Sequence, residues 1–185
     1  MTRRRTALLA LPAAALLVAG CGSSTPSPTV GGTASGGAVA TTTCQGPAAA
    51  TEQAPPSITD DLSAEPEVPA AQTPPPCTLV VADVVVGDGP VAESGSQVEV
   101  KYVGAFYDTG EVFDASWQRG ADETLPFTVG GGQVIEGFDQ GVAGMAVGGR
   151  RAITIPSDLG YGDRGQGPIP GGATLVFVVD LVSVS

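Results

Sequence analysis

The stretch GGGQVIEGFDQGVAGMAVGGRRAITIPSDLGY, residues 130–161, decides the fold because its apolar positions change period partway along. The alternation over residues 151–156 suits a strand. The preceding part predicts a short helix that passes through a glycine turn into that strand. Gly137 and Gly141 each cost a helix about 1 kcal/mol relative to alanine, so the helix needs a sheet to pack against. Its apolar face has helical spacing and consists of Ile135, Phe138, Val142 and Met145.

Further strands are predicted on both sides of this stretch. Residues 78–86 are rich in valine, and residues 97–107 alternate in polarity. An Asp-Thr-Gly turn at 108–110 then returns the chain as a hairpin through residues 112–113. Two more strands are predicted at residues 125–129 and 174–184. Short strands joined mostly by hairpin turns, with one short helix, predict an α+β domain whose antiparallel sheet curls over the helix.

The start of the predicted helix offers a binding feature. Its first turn falls on Val134 and Ile135, directly after three glycines, and the first N–H groups of a helix have no intrahelical partners. An apolar side chain beside a free donor could receive a proline ring and the carbonyl that precedes it. The alternative that both residues are ordinary core residues stays open at this point.

The N-terminal residues 1–20 have the order of a secretory signal. Three arginines at positions 3–5 precede an apolar run at 7–19, which is too short for a membrane span of about 20 residues. The run ends in Leu-Val-Ala-Gly-Cys at 17–21, which resembles the lipobox of bacterial lipoproteins. The resemblance implies cleavage before Cys21, diacylation of Cys21 and anchoring at the extracytoplasmic face of the cell membrane. The alternative is a secreted protein with an unmodified Cys21.

Residues 21–76 are predicted to form a disordered tether. Residues 22–76 hold ten of the sixteen prolines and no aromatic residue, so they lack the apolar surface to offset ordering. All nine aromatic residues lie between Tyr102 and Phe177, which places the folded domain at residues 77–185. Loss of the three arginines with the signal would move the net charge from −11 to −14, which argues against a nucleic-acid partner.

Two cysteines remain once Cys21 is assigned to lipidation. Cys44 and Cys77 form an even pair, and in an exported chain such a pair can oxidise to a disulfide. Free thiols and pairing with another chain are the alternatives.

Eight short motifs follow one another between residues 78 and 184. They are KYVG at 101–104, VFDAS at 112–116, GQVIEGF at 132–138, GVAGM at 141–145, VGGRR at 147–151, IP at 155–156, YG at 161–162 and ATLVF at 173–177. In this order and spacing they resemble the FKBP-type peptidyl-prolyl isomerases. The resemblance implies an FKBP-like antiparallel β-sheet half-wrapped around one short α-helix, with a proline pocket between them.

The same resemblance implies a set of site residues. The catalytic positions would be Tyr102, Phe113, Asp114, Ile135, Tyr161 and Phe177. The substrate-binding positions would be Phe127, Val134, Phe138 and Ile169. Asp114 matches a buried carboxylate, with Tyr102 or Arg119 as its expected partner, while Ile135 and Tyr161 match a backbone and a hydroxyl donor. Phe138 departs from the family, which usually has tryptophan at the pocket floor. For the aromatic residues the alternative is ordinary core packing.

The chemistry of such a pocket follows from amide resonance. Rotation about the C–N bond has a barrier near 20 kcal/mol, so X-Pro bonds isomerise over tens of seconds or more. Twisting reduces the polarity of the carbonyl, so an apolar cavity removes solvation that favours the planar form. A donor can hold the carbonyl while the ring turns. No covalent step, metal or cofactor is needed.

The composition weakens other enzyme classes. The chain has no histidine, which excludes histidine-based triads and histidine metal sites. The expected partners are proline-containing exported polypeptides, the membrane through the lipid anchor, and macrolide inhibitors such as rapamycin; the expected state is a monomer. A proline-binding module or holdase with little catalysis is the main alternative function, and a lipoprotein spacer with a relic domain is a third.

Overall fold

The computed structural model describes residues 54–120 and 122–185. The predicted signal peptide, Cys21 and Cys44 lie outside these residues. The strands and the α-helix follow the predicted order: β1 Val80–Val85, β2 Gln97–Phe106, β3 Val112–Ala115, β4 Leu125–Thr128, α1 Glu136–Val142, β5 Arg150–Ile155 and β6 Leu175–Val184. Three short 3₁₀ turns occupy Trp117–Arg119, Ser157–Leu159 and Gly162–Arg164.

The strands of the described part form one antiparallel sheet in the order β1-β5-β6-β2-β3, and β4 also pairs with β2. The ladder between β2 and β6 is the longest and runs from Val98 opposite Val184 to Phe106 opposite Leu175. The other edge of β2 is shared, because β4 pairs with its first half and β3 with its second half. The predicted α+β class is confirmed.

The alternation of each strand gives the sheet two different faces. Ile153 and Ile155 of β5 are fully buried in the core that contains the helix residues Phe138 and Val142. Ala152, which directly precedes Ile153 in sequence, belongs to a second cluster on the opposite face. The helix and the functional pocket therefore lie on the inner face of the sheet.

The helix is shorter than its apolar pattern. It begins at Glu136, with Ile135 in extended conformation as the N-cap residue, and ends at Val142. Met145 is 2% exposed although it follows the helix end, so its burial extends the pattern without extending the helix.

The two helix glycines are needed for packing. A Cβ atom on Gly137 would lie 2.4 Å from Cγ2 of Ile155, and one on Gly141 would lie 2.5 Å from Cγ2 of Ile153. Real Cβ contacts are never this short, so the glycines allow the helix to lie directly on β5. The loss of helix propensity is offset by this close packing.

The structure differs from the sequence interpretation over residues 54–76, here called the strap. The sequence predicts that these residues belong to the disordered tether, yet Ile58 is 5% exposed and Val68 is 8% exposed. Both pack on the outer face of the sheet, whose small side chains leave an apolar surface to be covered. That face consists of Val103, Ala105, Ala115, Ala152, Val176 and Val178. Two isolated apolar residues among prolines and acidic residues give no periodic signal, which is why the sequence did not show this packing.

A buried ion pair fixes the strap to the sheet. The Arg150 side chain is inaccessible to solvent and donates from Nε and Nη2 to the two carboxylate oxygens of Asp180, at 2.6 and 2.7 Å. Its Nη1 donates to the carbonyls of Thr59 and Asp61, and its Nη2 also donates to the carbonyl of Ala64. Every donor of the guanidinium group has a partner, as a buried charge requires.

Cys77, which directly follows the strap, is disulfide-bonded. Because Cys44 lies outside the described residues, the pairing of Cys44 with Cys77 stays a prediction. In the described part of the chain, no helix is both long and apolar enough to cross a membrane.

Candidate active site

Aromatic rings from four elements meet above the inner face of the sheet. The Phe138 ring, from the helix, lies 5.1 Å from the Phe177 ring of β6 and 6.0 Å from the Tyr102 ring of β2, both nearly edge to face. Phe113 of β3 lies edge-on to Phe177 at 5.6 Å. Edge-to-face pairs at these distances are favourable beyond the area they bury. The result is an aromatic floor with Phe138 at its centre.

Gly104 makes this ring arrangement possible. It lies on β2 between Phe113 and Phe177, and a Cβ atom there would be 2.7 Å from Phe177 and 2.9 Å from Phe113. Any side chain at residue 104 would push one ring away from the floor. The KYVG motif therefore contributes both a ring, Tyr102, and the space beside it.

The floor closes one end of a pocket of about 370 Å³. This volume is within the usual range for a small-ligand site. Eight of the ten predicted site residues line it: Tyr102, Phe113, Asp114, Val134, Ile135, Phe138, Tyr161 and Phe177.

Two predicted residues do not line the pocket. Phe127 is buried behind the floor, with its ring 5.8 Å from Phe138. Ile169 is 7% exposed and packs into the core from the loop before β6. Three other lining residues were not predicted, namely Leu125, Gln133 and Gln166. No pattern distinguishes them in the sequence, although Gln133 directly precedes Val134.

Asp114 belongs to a three-residue network at the pocket wall. It accepts the Tyr102 hydroxyl at 2.5 Å and Nη1 of Arg119 at 2.6 Å. Nη2 of Arg119 also donates to the Tyr102 hydroxyl oxygen, at 2.9 Å. Both expected partners of Asp114 are thus present. Its expected burial is not observed, since 46% of its side chain is exposed at the pocket mouth, where Arg119 supplies the counter-charge.

The electrostatics of the pocket keep its hydroxyl groups protonated. Burial, helped by the hydrogen bond to Asp114, raises the pKa of Tyr102 above its ordinary value, and Arg119 opposes this only in part. Burial also raises the pKa of Tyr161, with a further contribution from the negative charge of Asp114. The hydrogen bond with Tyr102 raises the pKa of Arg119, which therefore stays charged.

Two hydrogen-bond donors of the pocket lack protein partners. Among the described residues, neither the backbone N–H of Ile135 nor the hydroxyl of Tyr161 makes a hydrogen bond. Both residues line the pocket above the aromatic floor. An amide carbonyl that enters the pocket would satisfy one of them.

The glycine loop before the helix is held by two side chains. Asp139, 8% exposed on the helix, accepts the N–H groups of Gly130 and Gly132 at 2.6 and 3.2 Å. Gln133 accepts the N–H of Thr128 at 2.7 Å. These bonds fix the loop against the end of β4, and so place Val134 and Ile135 at the pocket.

The arrangement defines a class of site. A small cavity with an aromatic floor and two free neutral donors suits an apolar ring attached to an amide carbonyl, which is the structure of a prolyl peptide bond.

Comparison with known proteins agrees with this class. Residues 89–182 match the family of FKBP-type peptidyl-prolyl cis-trans isomerases. An FK506-binding protein of Streptomyces anulatus is 55% identical over 122 residues, which span 65% of this chain and 97% of that protein. A probable FK506-binding protein of Corynebacterium glutamicum is 45% identical over 119 residues, or 64% of this chain and 98% of that protein. The chain belongs to the FKBP-type family and is a peptidyl-prolyl cis-trans isomerase.

A solved structure shows the same fold. The crystal structure of AtFKBP13 aligns with a TM-score of 0.54 and 37% sequence identity, over 60% of this chain and 96% of that one. The antiparallel sheet around helix α1 is therefore an FKBP-like fold.

Proposed function

We propose that this isomerase acts on proline-containing segments of exported polypeptides, as a monomer anchored by a lipid on Cys21 at the extracytoplasmic face of the cell membrane. The signal-like residues 1–20 and the Cys21 context support the location. The disulfide at Cys77 fits an oxidising compartment. The observation that carries the catalytic part is the pair of unpartnered donors above the aromatic floor.

In the proposed mechanism the substrate proline ring packs on Phe138, between Tyr102 and Phe177. Transfer of its amide from water into this cavity removes the solvation that favours the planar, polar form. As the C–N bond twists, the Ile135 N–H or the Tyr161 hydroxyl holds the carbonyl in place. Each 1.36 kcal/mol removed from the barrier accelerates rotation tenfold.

The Asp114 network has a positioning role in this proposal. The bonds from Tyr102 and Arg119 hold the carboxylate at the pocket mouth and fix the Tyr102 ring as part of the wall. No proton needs to leave or join Asp114 during rotation, because no bond to hydrogen forms or breaks in the reaction.

The pocket is also proposed to take macrolides such as FK506, which the names of two relatives give as the ligand of those proteins, and rapamycin. Phe138 is smaller than the tryptophan usual at this position, so the floor lies deeper beneath a ligand ring. Titration of the chain with FK506 and with rapamycin, followed by the fluorescence of its one tryptophan or by calorimetry, tests this directly.

The catalytic proposal is tested by NMR exchange on a proline peptide with the soluble Cys21→Ser chain from residue 21 onward. Cross-peaks between cis and trans forms should appear at catalytic enzyme concentrations, and a tight macrolide should abolish them. Binding of the peptide without exchange would instead indicate a proline-binding module with little catalysis.

The anchor is tested separately by detergent-phase partitioning of the expressed full chain. The unaltered protein should enter the detergent phase, and Cys21→Ser should stay in the aqueous phase with the same isomerase rate. A Cys44→Ser variant is the matched control and should still enter the detergent phase. Detergent-phase partitioning of the Cys21→Ser protein would contradict the anchor.

A further inference from the structure

A second and larger concavity adjoins the proline pocket. It has a volume of about 1110 Å³, against about 370 Å³ for the pocket itself. Phe113 lines both, so the two adjoin at one aromatic side chain. We call this larger concavity the side groove. A polypeptide whose proline occupies the pocket must continue on both sides, and the side groove offers one of its two ends a surface.

The floor of the side groove is aromatic and partly open to solvent. The Phe106 and Phe113 rings lie 5.2 Å apart, and each is only half-buried. Three prolines from the loops after β5 and before β6 also line the side groove: Pro156, Pro168 and Pro170. The floor therefore suits apolar side chains.

The strap also lines the side groove, through Pro75 and Pro76. Tyr107 holds it there, since its carbonyl accepts the N–H of Ala71 at 2.8 Å. Its hydroxyl is also 2.9 Å from that of Thr73. The side groove is thus built partly from residues that precede the isomerase fold.

Its rim carries one sign of charge. Asp108, Glu111 and Asp158 line the side groove and are all exposed. None of these carboxylates forms an ion pair with a described residue, and the described lining includes no lysine or arginine. Carboxylates concentrated in a cleft attract cations more strongly than the same charges on a flat surface.

We propose that the side groove binds the residues that flank the isomerised proline and selects segments in which an apolar residue is followed or preceded by lysine or arginine. The apolar side chain packs on Phe106 and Phe113, and the basic group reaches Glu111 or Asp158. This proposal rests on the proposed isomerase activity and names a substrate class for it.

The distances suit a short reach. Ring centroids are 5.6 Å apart from Phe177 to Phe113 and 5.2 Å apart from Phe113 to Phe106. Each of these two ring-to-ring distances is shorter than the length of two extended residues, which span about 7 Å. The residues two to four positions from the proline are therefore the ones that enter the side groove.

The test compares octapeptides that differ only in a lysine or a glutamine three residues before the proline, with a second set in which the change lies three residues after it. For each pair, the ratio of kcat/KM and the ratio of Kd are measured at low ionic strength. The groove variant is Glu111→Gln with Asp158→Asn. The control is Asp88→Asn with Glu93→Gln, two exposed carboxylates that do not line the groove. Both double variants remove two negative charges. The comparison therefore separates the groove carboxylates from the general attraction of an acidic chain for a basic peptide.

We expect the lysine peptide of one set to be preferred about threefold in the unaltered chain and in the control. The preference should fall to about one in the groove variant and in high salt. If both double variants lose the lysine preference equally, the effect is one of overall charge and the proposal is overturned. The absence of any lysine preference in the unaltered chain would also overturn it. If no peptide is isomerised at all, the proposed catalysis fails instead, and the Kd ratios still decide whether the groove selects basic segments.

Discussion

Ile58→Ala tests whether the strap is part of the folded structure in solution. Ile58 is 5% exposed against the outer face of the sheet, although the sequence places it in a proline-rich stretch without periodicity. Loss of a buried isoleucine side chain to alanine costs about 2–5 kcal/mol. The strap can detach instead of retaining a cavity, which limits the loss to its docking free energy. We therefore expect about 2 kcal/mol, the lower end of that range.

The assay is thermal and urea unfolding of the Cys21→Ser chain. With about 3–5 °C per kcal/mol for a domain of this size, Ile58→Ala should lower Tm by about 6–10 °C. Val86→Ala is the matched control, because Val86 is 79% exposed and its truncation should change stability by less than about 0.5 kcal/mol.

A double-mutant cycle with Arg150→Lys sharpens the test. Lysine cannot reproduce the fork that binds Asp180 together with the carbonyls of Thr59, Asp61 and Ala64. Once either substitution has released the strap, the second substitution can remove less of the docking free energy. The double variant should therefore lose less stability than the sum of the losses in the two single variants. If Ile58→Ala is as neutral as Val86→Ala, the strap is not docked and the tether does extend to residue 76.

Other predictions concern the pocket and the helix. Phe177→Ala removes a ring that contacts three others and should cost about 3–5 kcal/mol along with the activity. Tyr161→Phe keeps the ring and loses only an unpartnered hydroxyl, so it should lower kcat/KM while stability stays within about 0.5 kcal/mol. If Tyr161→Phe lowered Tm as much as Phe177→Ala, the role of Tyr161 would be structural. Gly137→Ala should destabilise the protein by about 1–3 kcal/mol in urea unfolding, because the new Cβ meets Ile155, although alanine has the better helix propensity. Gln140→Ala on the exposed face of the helix is the control and should be nearly neutral. A stabilised Gly137→Ala would contradict the packing.

The elements of the inner face were predictable because each has a strong local signal. Each signal comes from residues that are close together in sequence: the alternation over β2 and β5, the turn at 108–110 and the helical spacing around Phe138. Burial in one common core then requires them to pack together. The pocket followed from the motifs of the family resemblance, since eight of the ten predicted site residues line one cavity.

The remaining features depend on contacts distant in sequence. The strap docks through Ile58 and Val68, which contact strands more than thirty residues away and carry no period of their own. Arg150 is one of two adjacent arginines at the start of β5, and no local pattern distinguishes it from Arg151, yet it is fully buried. The exposure of Asp114 is likewise set by where β3 ends at the pocket mouth, which local pattern does not specify.

The pH dependence of catalysed isomerisation tests the central claim, that the pocket works by desolvation and neutral hydrogen bonds. The chain has no histidine, and the pKa values of Tyr102 and Tyr161 are raised above their ordinary value near 10, so both hydroxyls stay protonated below it. The exchange rate constant of a proline peptide, measured by NMR from pH 6 to 8 with the folded Cys21→Ser chain, should be constant within about a factor of two. A bell-shaped profile in that range that disappears in Asp114→Asn would show acid–base catalysis and contradict the account.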